Sequence, residues 1–253
     1  FFTLSPDGSR LAFCGGDNTL KEWDSVTGRC VRIYTGHSMP VIEVCYSSDG
    51  TRIASCSEDG TIKEWNILTG ACVGTYERHK VTCLCYSKDG KKLLSGSGEC
   101  NVKELDMETG KYVKHFECHE GVIKQVAYRD DKVLAITGQS VILWDLFTCE
   151  ILKEYDFSFA DSLYYSGVFI ITKKKMIDYE DYIEIKEWNP ETGECLSRSS
   201  DYLIKDERII NHKDWHVLDT DHGTVKKWDN GKYSLEIRNI PGLFIQGVNM
   251  AGI

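Results

Sequence analysis

Trp23, Trp65, Leu105, Trp144, Trp188 and Trp228 hold corresponding places in six successive segments, at spacings of 42, 40, 39, 44 and 40 residues. A period of that size means a stacked or radial repeat, in which each unit buries its faces against its neighbours. The stretch DGTIKEWNILTG (59–70) returns as DNTLKEWDSVTG (17–28), ECNVKELDMETG (99–110) and EIKEWNPETG (184–193), and more loosely as SVILWDLFT (140–148) and GTVKKWDNG (223–231). IKEW is therefore a building unit used many times.

Within one unit, short runs rich in Val, Ile, Tyr and Trp alternate with turn signals: VIEVCYS, the SSDG turn, RIASCS, the EDG turn, TIKEWN, the ILTG turn and ACVGTY. Apolar residues at i, i+3, i+4 and i+7, which a helical repeat of this length needs, are missing. The strands show little strict apolar and polar alternation, as expected when both faces of a sheet are packed. The reading is an all-β propeller of four-stranded antiparallel blades.

The chain has 253 residues, 42% of them hydrophobic, enough for a sizeable core. A formal charge of −9 repels phosphate backbones and anionic membranes, so neither nucleic acid nor a membrane is the expected partner. No apolar run reaches the roughly 18–20 residues needed to span a bilayer, and no basic leader precedes a cleavage site. These features point to a cytoplasmic location. Phe1 already lies in a strand-like pattern, which suggests a piece of something longer.

The eleven cysteines repeat with the units: Cys45 and Cys85 before the SSDG and SKDG turns, Cys30, Cys72 and Cys195 closing a TGxC, Cys14 and Cys56 in equivalent strands. Equivalent positions are held a unit's width apart, which favours free, packed thiols over a disulfide framework. His79, Cys83 and Cys85 form the sharpest metal set, yet all three fall on repeat positions and read as packing. No metal or cofactor is expected.

Gly36-His37 followed by Trp65-Asn66, Arg78-His79 followed by Leu105-Asp106, and Cys118-His119 followed by Trp144-Asp145, with the xDG turns ahead of the TIKEW strands, resemble the WD-repeat family of β-propellers. SPDGSRLA, SEDGTIKEWN and TGxC look most like the regular arrays of bacterial WD-repeat proteins. The resemblance spans the chain, strongly over 1–145 and weakly beyond. It implies one domain over residues 1–253, with regular repeats at 1–157, degenerate repeats at 158–240, and a further blade or cap beginning at 241–253. Six closed blades and seven completed by sequence outside this chain both fit, and the extra strand favours seven.

The same resemblance implies a hydrogen-bonded tetrad of His37, Ser55, Asp59 and Trp65. Asp accepts from one imidazole nitrogen, the other nitrogen accepts from the Ser hydroxyl, and that oxygen accepts the indole N–H. His, Ser and Asp are also the parts of a hydrolase triad, but a nucleophile must face a pocket with oxyanion donors, and this Ser sits mid-strand. Several units lose a member: Phe13 replaces the Ser, Glu99 the Asp and Leu105 the Trp. Structural bracing tolerates such losses; an active site does not.

Where family members carry an apolar residue before the Trp, this chain has Glu22, Glu64, Glu104 and Glu187, with Leu143 and Lys227 in the other units. Carboxylates between blades need cations or donors, and Arg10, Arg52 and Lys92 are the expected partners.

The resemblance implies a protein-interaction role with no catalytic residues and other proteins or peptides as partners; homo-oligomerisation is not indicated. The bond from His37 to Asp59 puts the turn before the first strand and the turn between the second and third strands at one end of the blade. This end offers Met39, Glu58, Lys80 and Glu120 to a partner. The fifth unit is four residues longer between Leu163 and Trp188 than the second is between Val44 and Trp65, and the excess falls in KKKMIDYEDY (173–182). That stretch reads as a loop at the same end, with Lys173, Lys174, Lys175, Met176, Tyr179 and Tyr182 as candidate contacts. A sensor or autoinhibitory domain of a larger signalling protein is the alternative, and a hydrolase working in the central channel a second one.

Overall fold

The computed structural model describes residues 2–77, 80–118, 121–138 and 140–156 in full; beyond 156 it describes the backbone of eight strands. The chain divides into two compact units, Phe1–Asp156 and Phe157–Ile253.

The first unit holds four antiparallel sheets, each of four consecutive strands in simple order. The first sheet is β1 (Phe2–Leu4), β2 (Arg10–Cys14), β3 (Leu20–Asp24) and β4 (Cys30–Tyr34). The second is β5 (Val41–Tyr46), β6 (Arg52–Ser57), β7 (Thr61–Asn66) and β8 (Cys72–Glu77). The third is β9 (Val81–Tyr86), β10 (Lys92–Ser97), β11 (Asn101–Asp106) and β12 (Lys111–Glu117). The fourth is β13 (Gln125–Arg129), β14 (Lys132–Ile136), β15 (Ser140–Asp145) and β16 (Ile151–Asp156).

The second unit repeats the scheme in two further sheets. One comprises β17 (Ser162–Tyr165), β18 (Phe169–Ile177), β19 (Glu180–Trp188) and β20 (Cys195–Leu203). The other comprises β21 (Glu207–Ile209), β22 (His216–Asp219), β23 (Thr224–Asp229) and β24 (Lys232–Ile237). The described strands are all β, in four-stranded antiparallel propeller blades.

One irregularity marks every sheet. The pairing between third and fourth strands shifts register immediately before the indole slot, at Glu22/Trp23, Glu64/Trp65, Glu104/Leu105, Leu143/Trp144, Glu187/Trp188 and Lys227/Trp228. A bulge of this kind adds twist and re-aims a side chain.

The turns follow from their sequences. In the SPDG, SSDG and SKDG turns, Ser5, Ser47 and Ser87 donate to Asp7, Asp49 and Asp89, each at 2.6 Å. The amide of the residue opening the second strand donates back to the same Ser at 2.9 Å. After the indole slot, Asp24, Asn66, Asp106 and Asp145 accept the amide of the Thr three residues on, at 2.7–2.9 Å. The Asp of a Trp-Asp pair therefore shapes the turn to the fourth strand.

The core of the first unit lies between its sheets. Leu20 and Tyr34 pack with Val44, Ile53 and Trp65; Ala54 and Ile62 with Leu84, Leu93 and Leu105; Leu94 and Phe116 with Val126, Val133 and Trp144. Each inner sheet so buries both faces, which explains the weak alternation in its strands. The innermost strands follow one another, β1 against β5, β5 against β9 and β9 against β13.

Candidate interaction face

The second sheet carries a closed chain of hydrogen bonds. Trp65 Nε1 donates to Ser55 Oγ at 2.9 Å, and that oxygen lies 2.8 Å from His37 Nε2. His37 Nδ1 lies 2.8 Å from Asp59 Oδ2. The His37 and Asp59 side chains are only 1% and 7% exposed and Ser55 is fully buried, so no substrate reaches the hydroxyl. Burial holds the imidazole below its usual range against the pull of Asp59. Burial opposes ionisation of Asp59 too, but bonds from Thr61, His37 and the Ser38 amide bring its carboxyl down to about 2. A neutral ring between a carboxylate and a hydroxyl satisfies every member without water.

Two members escape a reading of the sequence. Thr61 donates to Asp59 Oδ1 at 2.6 Å, and the Ser38 amide donates to Oδ2 at 3.0 Å. The repeated DGT offered Thr61 as a signal, whereas a backbone amide leaves none. Gly36 is favoured by its backbone, with φ at +150°, and by crowding, since a Cβ there would stand 3.2 Å from Trp65 Cη2.

Among the described residues, no other sheet holds the full set. With Phe13 in the Ser slot, Trp23 Nε1 is buried without a partner. Ser95 turns to the Lys103 carbonyl at 3.3 Å, while Glu99 pairs with Lys80 at 3.1 Å. Trp144 Nε1 donates to the Glu117 carbonyl at 3.3 Å. His79 and His119 lie outside the described residues.

The carboxylates before the indole slot are buried: Glu22, Glu64 and Glu104. Their partners correct the expected pairing. Only Arg52 reaches its carboxylate, Glu64, at 2.9 and 3.0 Å. Arg10 pairs with Asp24 and Lys92 with Asp106, because the register sets those residues directly opposite each other; Arg52 faces the uncharged Asn66 and is left to reach diagonally. The constant donors are tyrosines of the following sheet. Tyr46 donates to Glu22 at 3.1 Å, Tyr86 to Glu64 at 3.0 Å and Tyr128 to Glu104 at 2.9 Å. Tyr34 adds a bond to Glu22 at 2.9 Å, and Lys114 stands 3.4 Å from Glu104.

The bond from His37 to Asp59 joins the Gly36–Pro40 turn to the Glu58–Gly60 turn, and Gly98 N donates to Lys80 O at 2.9 Å in the third sheet. Both pairs of turns therefore share one end of their sheets, the top face. Met39 is 45% exposed there, Glu58 is exposed, and the Lys80 side chain is 68% exposed. Glu120 lies outside the described residues.

Residues 173–177 and 180–182 are paired in strands, which corrects the expectation of a loop over 173–182. Lys173, Lys174, Lys175 and Met176 belong to β18 and Tyr182 to β19, paired as far as Ile177 with Glu180. The added residues lengthen both strands to nine, Phe169–Ile177 pairing with Glu180–Trp188 without a break. Tyr179 lies outside the described residues.

Residues 2–24 and 28–66 match the family described as WD domain, G-beta repeat. Residues 75–132 match the family described as anaphase-promoting complex subunit 4 WD40 domain. No curated protein matches the sequence.

Proposed function

Because the chain belongs to the WD-repeat family, whose repeats mediate protein–protein contacts, we propose that it is a non-catalytic scaffold binding other proteins or peptides through the top face. One observation carries the reading. Among the described residues, the set of side chains with hydrolase chemistry is sealed inside the second sheet and bonded to a tryptophan, which supports reading it as bracing.

Met39, Glu58, Lys80 and Glu120 are the contacts proposed on the first unit, and Lys173, Lys174, Lys175, Met176, Tyr179 and Tyr182 are proposed as contacts of the second. Residues 1–253 are proposed as one domain, supported by the common strand order of all six sheets and by the bulge before each indole slot. The ten cysteines among the described residues are all free, which fits a reducing, cytoplasmic setting.

The test is affinity capture with three proteins: the unaltered chain, a Met39→Glu/Lys80→Glu variant, and a Leu68→Glu variant at the opposite end, where Leu68 is 86% exposed. The reading expects specific partners lost only from the first variant. Loss only from the Leu68→Glu variant overturns the assignment of the face.

A further inference from the structure

In the third sheet, β11 begins at Asn101 and β12 ends at Glu117, and these two residues pair. Cys100 and Cys118 stand immediately outside that ladder, one residue beyond each strand. Cys118 N donates to Cys100 O at 3.2 Å, and Cys118 Sγ lies 2.9 Å from the same oxygen. These two contacts bring the backbones of the two residues together at the ladder's end, where a regular hydrogen-bonded pair has its Cα atoms about 5.5 Å apart and a disulfide spans roughly 4.4–6.8 Å. Cys100 has a positive φ of 58°, so the chain turns sharply at the thiol. Both residues are partly exposed. This sheet also lacks the tetrad, with Leu105 for the indole and Glu99 turned to Lys80.

We propose that Cys100 and Cys118 form a reversible cross-strand disulfide when the protein meets a hydroperoxide, an oxidation site at the top end of the third sheet. Cys100 Sγ attacks the distal peroxide oxygen and becomes a sulfenic acid as the peroxide leaves as an alcohol or water. Cys118 Sγ then attacks that sulfur; the S–S bond forms, the S–O bond breaks, and the hydroxyl departs as water with the thiol proton. Two electrons pass from two thiols to one peroxide, and a dithiol reverses the step.

The order follows from the surroundings. Burial, and after it the neighbouring Cys100, pushes the Cys118 thiol up to about 11, so Cys118 stays protonated until its partner is oxidised. The bond would clip the turn at Gly98–Cys100 to the end of β12, beside Lys80, and brace a sheet that lacks the tetrad. The inference does not depend on the proposed function.

The test treats the full chain with hydrogen peroxide, alkylates the remaining thiols and digests with trypsin without reductant. Lys103, Lys111 and Lys114 lie between the two cysteines, so trypsin separates them unless they are bonded. The proposal expects a linked pair of peptides holding Cys100 and Cys118, two fewer free thiols per chain, no dimer on a non-reducing gel, and full reversal by dithiothreitol. In Cys118→Ser, dimedone should trap Cys100 as a sulfenic acid. Oxidised protein in which these two cysteines stay unlinked, or are linked to other cysteines or between chains, overturns it. Peptide mapping of the unaltered chain keeps the test valid even if the variant fails to fold.

Discussion

The hydroxyl of Tyr86 donates to Glu64 Oε1 at 3.0 Å, across the gap between the third and second sheets. The same bond recurs one sheet earlier, from Tyr46 to Glu22, and one later, from Tyr128 to Glu104. A buried carboxylate is costly unless it is paired and hydrogen-bonded. The repeat meets that cost with a donor on the neighbouring sheet, so each bond also fixes which face of one sheet meets the next.

Tyr86→Phe removes one donor and leaves Glu64 with Arg52. We expect a loss of about 1–2 kcal/mol in urea unfolding. Glu64→Ala should cost more, because it strands both the Tyr86 hydroxyl and the arginine. Equal, negligible effects of the two changes would show that these bonds add nothing.

Phe13→Ser offers Trp23 Nε1 the acceptor that Ser55 gives Trp65. The gain is one hydrogen bond, about 1 kcal/mol. The loss is a phenyl ring 3% exposed and 5.6 Å from the ring of Phe2. Large-to-small core changes of this size cost about 3–5 kcal/mol, so the variant should melt lower than the parent. A higher melting temperature would mean that the unpaired indole outweighs the packing.

The period of the indole slots and the turns were legible because each is a local spacing repeated down the chain, whereas the tetrad, present in one described sheet, was read through the family resemblance. The partners of Glu22 and Glu104 were not. Arg10 and Lys92 stand in the same strand position as Arg52, and only the register shows that Asp24 and Asp106 already face them. Tyr46, Tyr86 and Tyr128 were visible as a repeated letter before the turn, but the sheet they reach is a matter of packing. The stretch 173–182 misled for a related reason: a run of lysines, then acids and aromatics, has the composition of a solvated tip, yet residues 173–177 and 180–182 pair in register.

Glu43 predicts a pH dependence. Its Oε2 is buried without a partner, and burial pushes its carboxyl from an ordinary 4.5 up to about 8. The unfolded chain releases this proton near pH 4.5 and the folded chain near pH 8, so the folded state holds more protons in between. Its contribution is therefore lost as pH rises through that window, by roughly 3–5 kcal/mol at most. Glu43→Gln should remove that decline and melt higher than the parent at pH 8. A parent and variant with parallel profiles from pH 5 to 8 would contradict the assignment.

His37 works in the opposite sense. Burial lowers its folded pKa below 6.5, so the unfolded chain binds the extra proton and stability falls as pH drops below 6.5. Melting profiles between pH 7 and 5 should slope less in His37→Gln than in the parent. An unchanged slope would place the titrating group elsewhere.

The most direct test of the account is to measure unfolding and partner capture together for Ser55→Ala and Asp59→Ala. If the His37, Ser55, Asp59 and Trp65 set is bracing inside a scaffold, each variant should lose about 1–3 kcal/mol of stability. Well below its melting temperature, each should still capture the same partners as the parent. Unchanged melting with partners lost, or with a hydrolytic activity of the parent abolished, would contradict the account and make the buried set a working site.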